Sequence, residues 1–189
     1  TGVQTCALPI SLVETFQAAD INGAGRGAAW GDYDNDGDLD LAVSIGTGEI
    51  RLYRNDKGVM VSVGAAMGMP QKGQEFRGLS WGDYDGDGYL DLMGGATEKT
   101  AISVVLHNER GMRFTNVAAE IGLTIPDRSA RQSNWVDYDN DGDLDLYSSD
   151  RAGDNKLFRN DGGHFTRVFD HAGPTDARAT VGACWFDID

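Results

Sequence analysis

The stretch Trp30-Gly31-Asp32-Tyr33-Asp34-Asn35-Asp36-Gly37-Asp38-Leu39-Asp40-Leu41 returns as Trp81 to Leu92 and as Trp135 to Leu146, and a further copy opens at Trp185-Phe186-Asp187-Ile188-Asp189. Successive Trp residues lie 51, 54 and 50 positions apart. A period of this size sets the architecture before local propensities do, because each repeat is one supersecondary unit that buries its apolar face only against its neighbours. Any fold for the chain must therefore present the same acidic turn at regular intervals.

Within each complete copy the acids fall at turn positions 1, 3, 5 and 9, with Gly at 6: Asp32, Asp34, Asp36, Asp40; Asp83, Asp85, Asp87, Asp91; Asp137, Asp139, Asp141, Asp145. Alternate carboxylates on a tightly curled backbone converge on one point. Such a cage suits Ca²⁺, a hard cation that takes six to eight oxygens at about 2.3–2.6 Å. Gly37, Gly88 and Gly142 permit the sharp turn, and the seventh residue, Asp38, Tyr89 or Asp143, can add a backbone carbonyl. Tyr in place of Asp at position 7 is consistent with a carbonyl ligand, which is indifferent to the side chain.

A lone Asp-Gly is usually a solvated turn, but three copies in register argue against that here. The EF-hand shares positions 1, 3, 5, 6, 7 and 9 yet needs a bidentate Glu at 12. Position 12 here is Val43, Gly94 or Ser148. The flanks Leu39-Asp-Leu-Ala-Val-Ser and Leu144-Asp-Leu-Tyr-Ser alternate with period two, which predicts strands rather than helices. The turn therefore belongs in a β-hairpin, with Leu39, Leu41 and their equivalents as the buried face of its second strand.

Other positions keep the same period. Arg26, Arg77 and Arg131 stand four before a Trp, while Leu52-Tyr-Arg-Asn55, Val105-Leu-His-Asn108 and Leu157-Phe-Arg-Asn160 follow some twenty after it. Gly58, Gly111 and Gly162-Gly163 then mark a second turn, ahead of short strands at Met60–Val63, Phe114–Val117 and Phe165–Val168. Four antiparallel strands in roughly 50 residues is the size of a propeller blade. The expectation is an all-β partial propeller of about three to four four-stranded blades: 24–70, 71–125 and 126–176, with 177–189 starting a truncated fourth. A small helical turn is expected after the fourth strand, at Ala118–Gly122 and less clearly at Ala65–Gly68. Residues 11–23 read as the remnant of a preceding blade, and residues 1–10 as a translated sequencing adapter.

The formal charge of −14 is mostly local, since 14 of the 30 acidic residues lie in the three complete turns. Three bound Ca²⁺ would bring it to −8. Nucleic acid as a partner would call for a basic stripe instead. No run of 18 apolar residues occurs, so no membrane-inserting helix is expected. With Cys6 in the adapter segment, Cys184 is left alone and gives no disulfide framework; beside Trp185 it reads as a small buried apolar residue. The Trp residues read as packing within each blade, and the repeated Arg residues as neutralising carboxylates or carbonyls of their own fold. His107, His164 and His171 fall at unrelated repeat positions with no second His at metal spacing, against a zinc site. No G-x-S-x-G elbow or glycine-rich phosphate loop is present, and nothing singles out a carboxylate pair for glycoside hydrolysis.

With W-G-D-Y-D-N-D-G-D-L-D-L and L-Y-R-N-D-x-G together, residues 24–189 resemble the FG-GAP/VCBS repeat family, which includes integrin α-chain propellers and bacterial proteins of the ASPIC/UnbV type. The resemblance implies a β-propeller with Ca²⁺ in the hairpin between the first two strands of each blade, on secreted or surface proteins. Carried over position by position, the ligands are the twelve Asp side chains above and the carbonyls of Asp38, Tyr89 and Asp143. Asp187 and Asp189 match the first two ligands of a fourth loop. The implied function is a non-catalytic, extracellular binding or adhesion module for a protein or glycan. The alternative is a scaffold propeller for a secreted enzyme whose catalytic domain lies elsewhere.

Overall fold

A computed structural model describes residues 25–97, 103–124, 130–151, 154–168, 180 and 182–184. Among these, twelve strands form three four-stranded antiparallel sheets and no helix occurs. The first sheet holds β1 (Gly25–Gly31), β2 (Asp40–Ile45), β3 (Ile50–Asp56) and β4 (Val59–Ser62), in that order. The second holds β5 (Phe76–Gly82), β6 (Asp91–Ala96), β7 (Val104–Asn108) and β8 (Phe114–Asn116), and the third β9 (Ala130–Val136), β10 (Asp145–Asp150), β11 (Lys156–Asp161) and β12 (His164–Val168). Each sheet is a plain meander, as expected for blades built from one repeat. The adapter-like residues 1–10, the segment 11–23 and the loop residues Asp187 and Asp189 lie outside the described residues.

The sheets pack face to face, with first strands β1, β5 and β9 side by side. Gly78 permits this approach on one side: a Cβ there would stand 2.5 Å from the Arg131 carbonyl oxygen. Between the first and second sheets lie Tyr33, Ile50, Leu52, Phe76, Leu92, Leu106 and Phe114. Between the second and third lie Tyr84, Met93, Val105, Leu123, Leu146, Phe158 and Phe165.

This arrangement corrects the expected one-sided second strand. β2, β6 and β10 are buried at every residue. Neighbouring side chains point to opposite faces of a sheet, and in β6 they enter different cores, Leu92 the first and Met93 the second. Leu41, Leu92 and Leu146 are buried as expected, but Leu39 is 56% exposed. Its neighbour Asp40 is buried instead, at 0% exposure.

Trp81 and Trp135 also act differently from the expectation, joining sheets rather than filling one. Trp81 lies parallel to Tyr33 of the preceding sheet, ring centroids 6.4 Å apart, and its Nε1–H donates to the Ala29 carbonyl at 3.2 Å. Trp135 repeats the contact on Tyr84 at 6.3 Å and on the Ser80 carbonyl at 3.4 Å. Each such aromatic pair adds about 0.5–1.5 kcal/mol beyond area burial. Trp30, with no preceding sheet among the described residues, is 43% exposed.

A single helical turn follows β4 and β8, as expected. Met67 N–H donates to Val63 O and Met69 N–H to Gly64 O; Ile121 N–H donates to Val117 O and Leu123 N–H to Ala118 O. Gly68 and Gly122 close these turns at φ 80° and 82°, so the two sites are equally clear. Each turn reaches the next sheet, with Phe114 N–H donating to Met67 O and Phe165 N–H to Ile121 O, both at 2.8 Å. Arg26 and Arg77 share Glu75, at 3.1 and 2.8 Å, as the in-fold neutralisation reading expected. Arg131 has no carboxylate partner of this kind among the described residues. Cys184 is exposed rather than buried.

Candidate metal centres

The three acidic turns connect β1 to β2, β5 to β6 and β9 to β10, and share one backbone path. Two residues of each turn lie in the left-handed region: Asn35, Gly86 or Asn140 at position 4, and Gly37, Gly88 or Gly142 at position 6. The Asp-Gly pattern predicts only the second. Asn tolerates this region better than other non-Gly residues, so the Asn/Gly/Asn pattern at position 4 carried the missing signal.

Side chains of the turn fold it by accepting its own N–H groups. Asp32 takes Asp36 N–H on Oδ1 at 3.1 Å and Gly37 N–H on Oδ2 at 3.0 Å. Asp83 and Asp137 do the same for Asp87, Gly88, Asp141 and Gly142. Position 5 takes the N–H of position 7: Asp36 from Asp38, Asp87 from Tyr89, Asp141 from Asp143. Carboxylate oxygens carry two lone pairs each, so these bonds leave acceptor capacity facing the turn's interior.

Position 9 anchors the turn to the sheet. Asp40 takes Tyr33 N–H on Oδ2 at 3.1 Å and Asn55 N–H on Oδ1 at 2.8 Å. Asp91 repeats this with Tyr84 and Asn108, and Asp145 with Tyr138 and Asn160. Burial, only partly offset by these N–H donors, pushes the Asp40 carboxyl up to about 6. Burial raises Asp91 and Asp145 as well. A buried carboxylate with a raised pKa is short of positive charge.

The carboxylates gather in groups whose ligand atoms lie within 4.8 Å of one another: Asp32, Asp34 and Asp36; Asp83, Asp85 and Asp87; Asp137, Asp139 and Asp145. Asp40 stays outside the first group and Asp141 outside the third, while Asp91 joins Asp85 and His107 in a group of its own. Asp34 Oδ1 is buried with no hydrogen-bond partner, and its pKa is raised by burial and then by Asp36. An orphaned carboxylate oxygen beside like charges fits a hard cation.

At position 7, two of the side chains have a role the carbonyl argument missed. Asp38 accepts Lys57 N–H and Asp143 accepts Gly162 N–H, both at 3.0 Å, tying the acidic turn to the hairpin of the third and fourth strands. Tyr89 has no carboxylate for this bond. Across sheets, Asn35 Nδ2 donates to Gly88 O at 2.8 Å, linking the first two turns directly.

The Asn that ends the third strand recurs in the sequence, and in the structure it is a connector. Asn108 Nδ2 donates to Leu90 O in its own sheet and to Tyr33 O in the preceding one, at 3.0 and 2.8 Å. Asn160 does likewise with Leu144 O and Tyr84 O. His107 has no second His at metal spacing, yet it stands beside the second turn. Its Nδ1 is 3.4 Å from Asp85 Oδ2 and 3.2 Å from Asp91 Oδ1.

A family model described as "FG-GAP-like repeat" matches residues 32–94 and 137–189, each match opening on the first Asp of an acidic turn. No curated protein matches the chain.

Proposed function

Because the chain belongs to the FG-GAP-like repeat family, we propose that its acidic turns bind Ca²⁺ and brace a non-catalytic propeller module that recognises a protein or glycan outside the cell. FG-GAP-like repeats are in general structural modules without catalytic function. The observation that carries the reading is that positions 1 and 3 of every turn gather with a third carboxylate, from position 5 in the first two turns and from position 9 in the third, with Asp34 Oδ1 left without a hydrogen-bond partner.

The side chains at positions 1, 3, 5 and 9 and the carbonyls of Asp38, Tyr89 and Asp143 would hold the ion. Asp187 and Asp189 would open a further site. The cation's contribution is electrostatic: it neutralises carboxylates that repel one another when empty. This chain's residues do the rest. Asp40, Asp91 and Asp145 link each turn to the third strand of its own sheet, and Asn108 and Asn160 carry that link to the preceding sheet. Filling a turn therefore stiffens both the hairpin and its junction with the neighbouring sheet. Loops held rigidly on one edge of such sheets form a recognition surface, the usual division between scaffold and binding loops.

Extracellular modules hold Ca²⁺ at about 10⁻⁴–10⁻³ M. At one to ten times Kd, each site adds about 0.4–1.4 kcal/mol by linkage. Thermal melting in millimolar Ca²⁺ against excess chelator tests the reading, with a higher midpoint expected in Ca²⁺ and little recovery from Mg²⁺, which demands near-ideal octahedral geometry. Identical midpoints in Ca²⁺ and chelator would refute it.

A further inference from the structure

The second acidic turn differs from the other two at one place on the adjoining strand. Blades one and three put an Arg before the connecting Asn, and each Arg turns away to an exposed partner: Arg54 to Asp56 at 2.8 Å and Arg159 to Asp161 at 2.8 Å. The second blade puts His107 there. Its acidic neighbour two residues on, Glu109, is taken by Arg113 and Thr115 instead, which leaves His107 to face the turn.

The imidazole is placed like a ligand. Tyr84 meets the ring edge-on at 6.1 Å and restricts its orientation. Nδ1 is shielded from solvent, lies between Asp85 Oδ2 and Asp91 Oδ1 at 3.4 and 3.2 Å, and has no hydrogen-bond partner of good geometry. Donors at about 2.1 Å from a shared tetrahedral cation would stand about 3.4 Å apart, the geometry of Zn²⁺ with His nitrogen and carboxylate oxygen. Asp91 is fully buried and held by the N–H groups of Tyr84 and Asn108, so this edge of the site is preformed.

We infer that Asp85, Asp91 and His107 form a site for a nitrogen-accepting divalent cation such as Zn²⁺, setting the metal preference of the second turn apart from that of the first and third. The inference rests on the reading of the turns as cation sites. Imidazole suits zinc, copper, iron and nickel, whereas carboxylate and carbonyl oxygen suit calcium. The first and third turns offer oxygen alone. One chain thus carries two kinds of site on a common backbone, and the chemical difference comes from one residue on β7.

The test is calorimetric titration of the metal-free chain with Zn²⁺ and separately with Ca²⁺, for the wild type, His107→Gln and His107→Arg. Gln keeps a neutral side chain but replaces the nitrogen donor with an amide oxygen; Arg restores the residue type of the other blades. The expected result is a Zn²⁺ retained in the wild type against excess Ca²⁺, with Zn²⁺ affinity falling about tenfold or more in both variants while Ca²⁺ binding at the remaining turns persists. Melting curves of the variants check that they fold, and Co²⁺-induced paramagnetic shifts of the His107 ring protons give a direct signature in the wild type. Unchanged Zn²⁺ affinity in a folded variant, or Ca²⁺ displacing Zn²⁺ from the second turn, would overturn the inference. So would a gain in Ca²⁺ affinity on losing His107 with no Zn²⁺ bound beforehand, which would mark the imidazole as a fixed counter-charge. Absence of Ca²⁺ binding at every turn of the wild type would instead defeat the broader calcium reading.

Discussion

Replacing Asn108 with Ala removes a side chain that holds two sheets together. Asn108 is fully buried. Its Nδ2 serves Tyr33 O and Leu90 O, and its Oδ1 accepts Gly111 N–H at 2.7 Å. Truncation leaves two carbonyls and one N–H without their partner. At about 1 kcal/mol net for each bond lost, the cost is about 3 kcal/mol, rising if the small void stays dry. Typical domains have only about 5–15 kcal/mol in total, so the effect is large. Asn55→Ala provides an internal comparison, because Asn55 makes the Leu39 O and Gly58 N–H bonds without a described contact to a preceding sheet. Urea unfolding of both variants should show Asn108→Ala the more costly by about 1 kcal/mol, the share of the inter-sheet bond. Equal losses, or a loss under about 1 kcal/mol for Asn108→Ala, would refute the view that this side chain couples the sheets.

Gly78→Ala should destabilise the chain by about 1–3 kcal/mol in the same assay, since the new methyl would meet the Arg131 carbonyl oxygen at 2.5 Å and the inner strands would have to part. In excess chelator the midpoint should fall as pH rises from 5 to 7. The folded form holds Asp40 at about 6, above the ordinary carboxylate value near 3.9, so it binds the extra proton; that stabilisation is complete below the ordinary value and lost as pH passes the raised one. Asp91 and Asp145 act in the same direction, and a flat melting profile from pH 5 to 7 would count against this. Asp36→Ala should lower Ca²⁺ affinity and the midpoint together, because Asp36 belongs to the first carboxylate group and also accepts Asp38 N–H; turnover of a substrate lost without any change in melting would contradict the non-catalytic reading.

The strand plan was legible in the sequence because turn residues and period-two runs recur at fixed offsets, and the acidic turn because its Gly and Asp residues are local. Features that depend on a neighbouring sheet were not. Nothing within one repeat shows that Trp81 stacks on Tyr33 or that Asn108 reaches Tyr33 O, since Tyr33 lies in the preceding repeat. The inversion at Leu39 and Asp40 has a related cause. Hydrophobic patterning assigns the leucine to the core, but the two N–H donors that make burial of the carboxylate tolerable come from the turn and from the third strand. His107 escapes sequence spacing for another reason: its companions Asp85 and Asp91 come from the acidic turn and the start of the neighbouring strand β6 of the same sheet, too far along the chain to form a ligand motif.

The most direct test of the central claim is the number of Ca²⁺ ions bound per chain at saturation, measured by equilibrium dialysis in zinc-free buffer. The account predicts an ion in each of the three described turns, with one fewer after Asp36→Ala. No bound Ca²⁺ at millimolar concentration, with the chain folded, would contradict it.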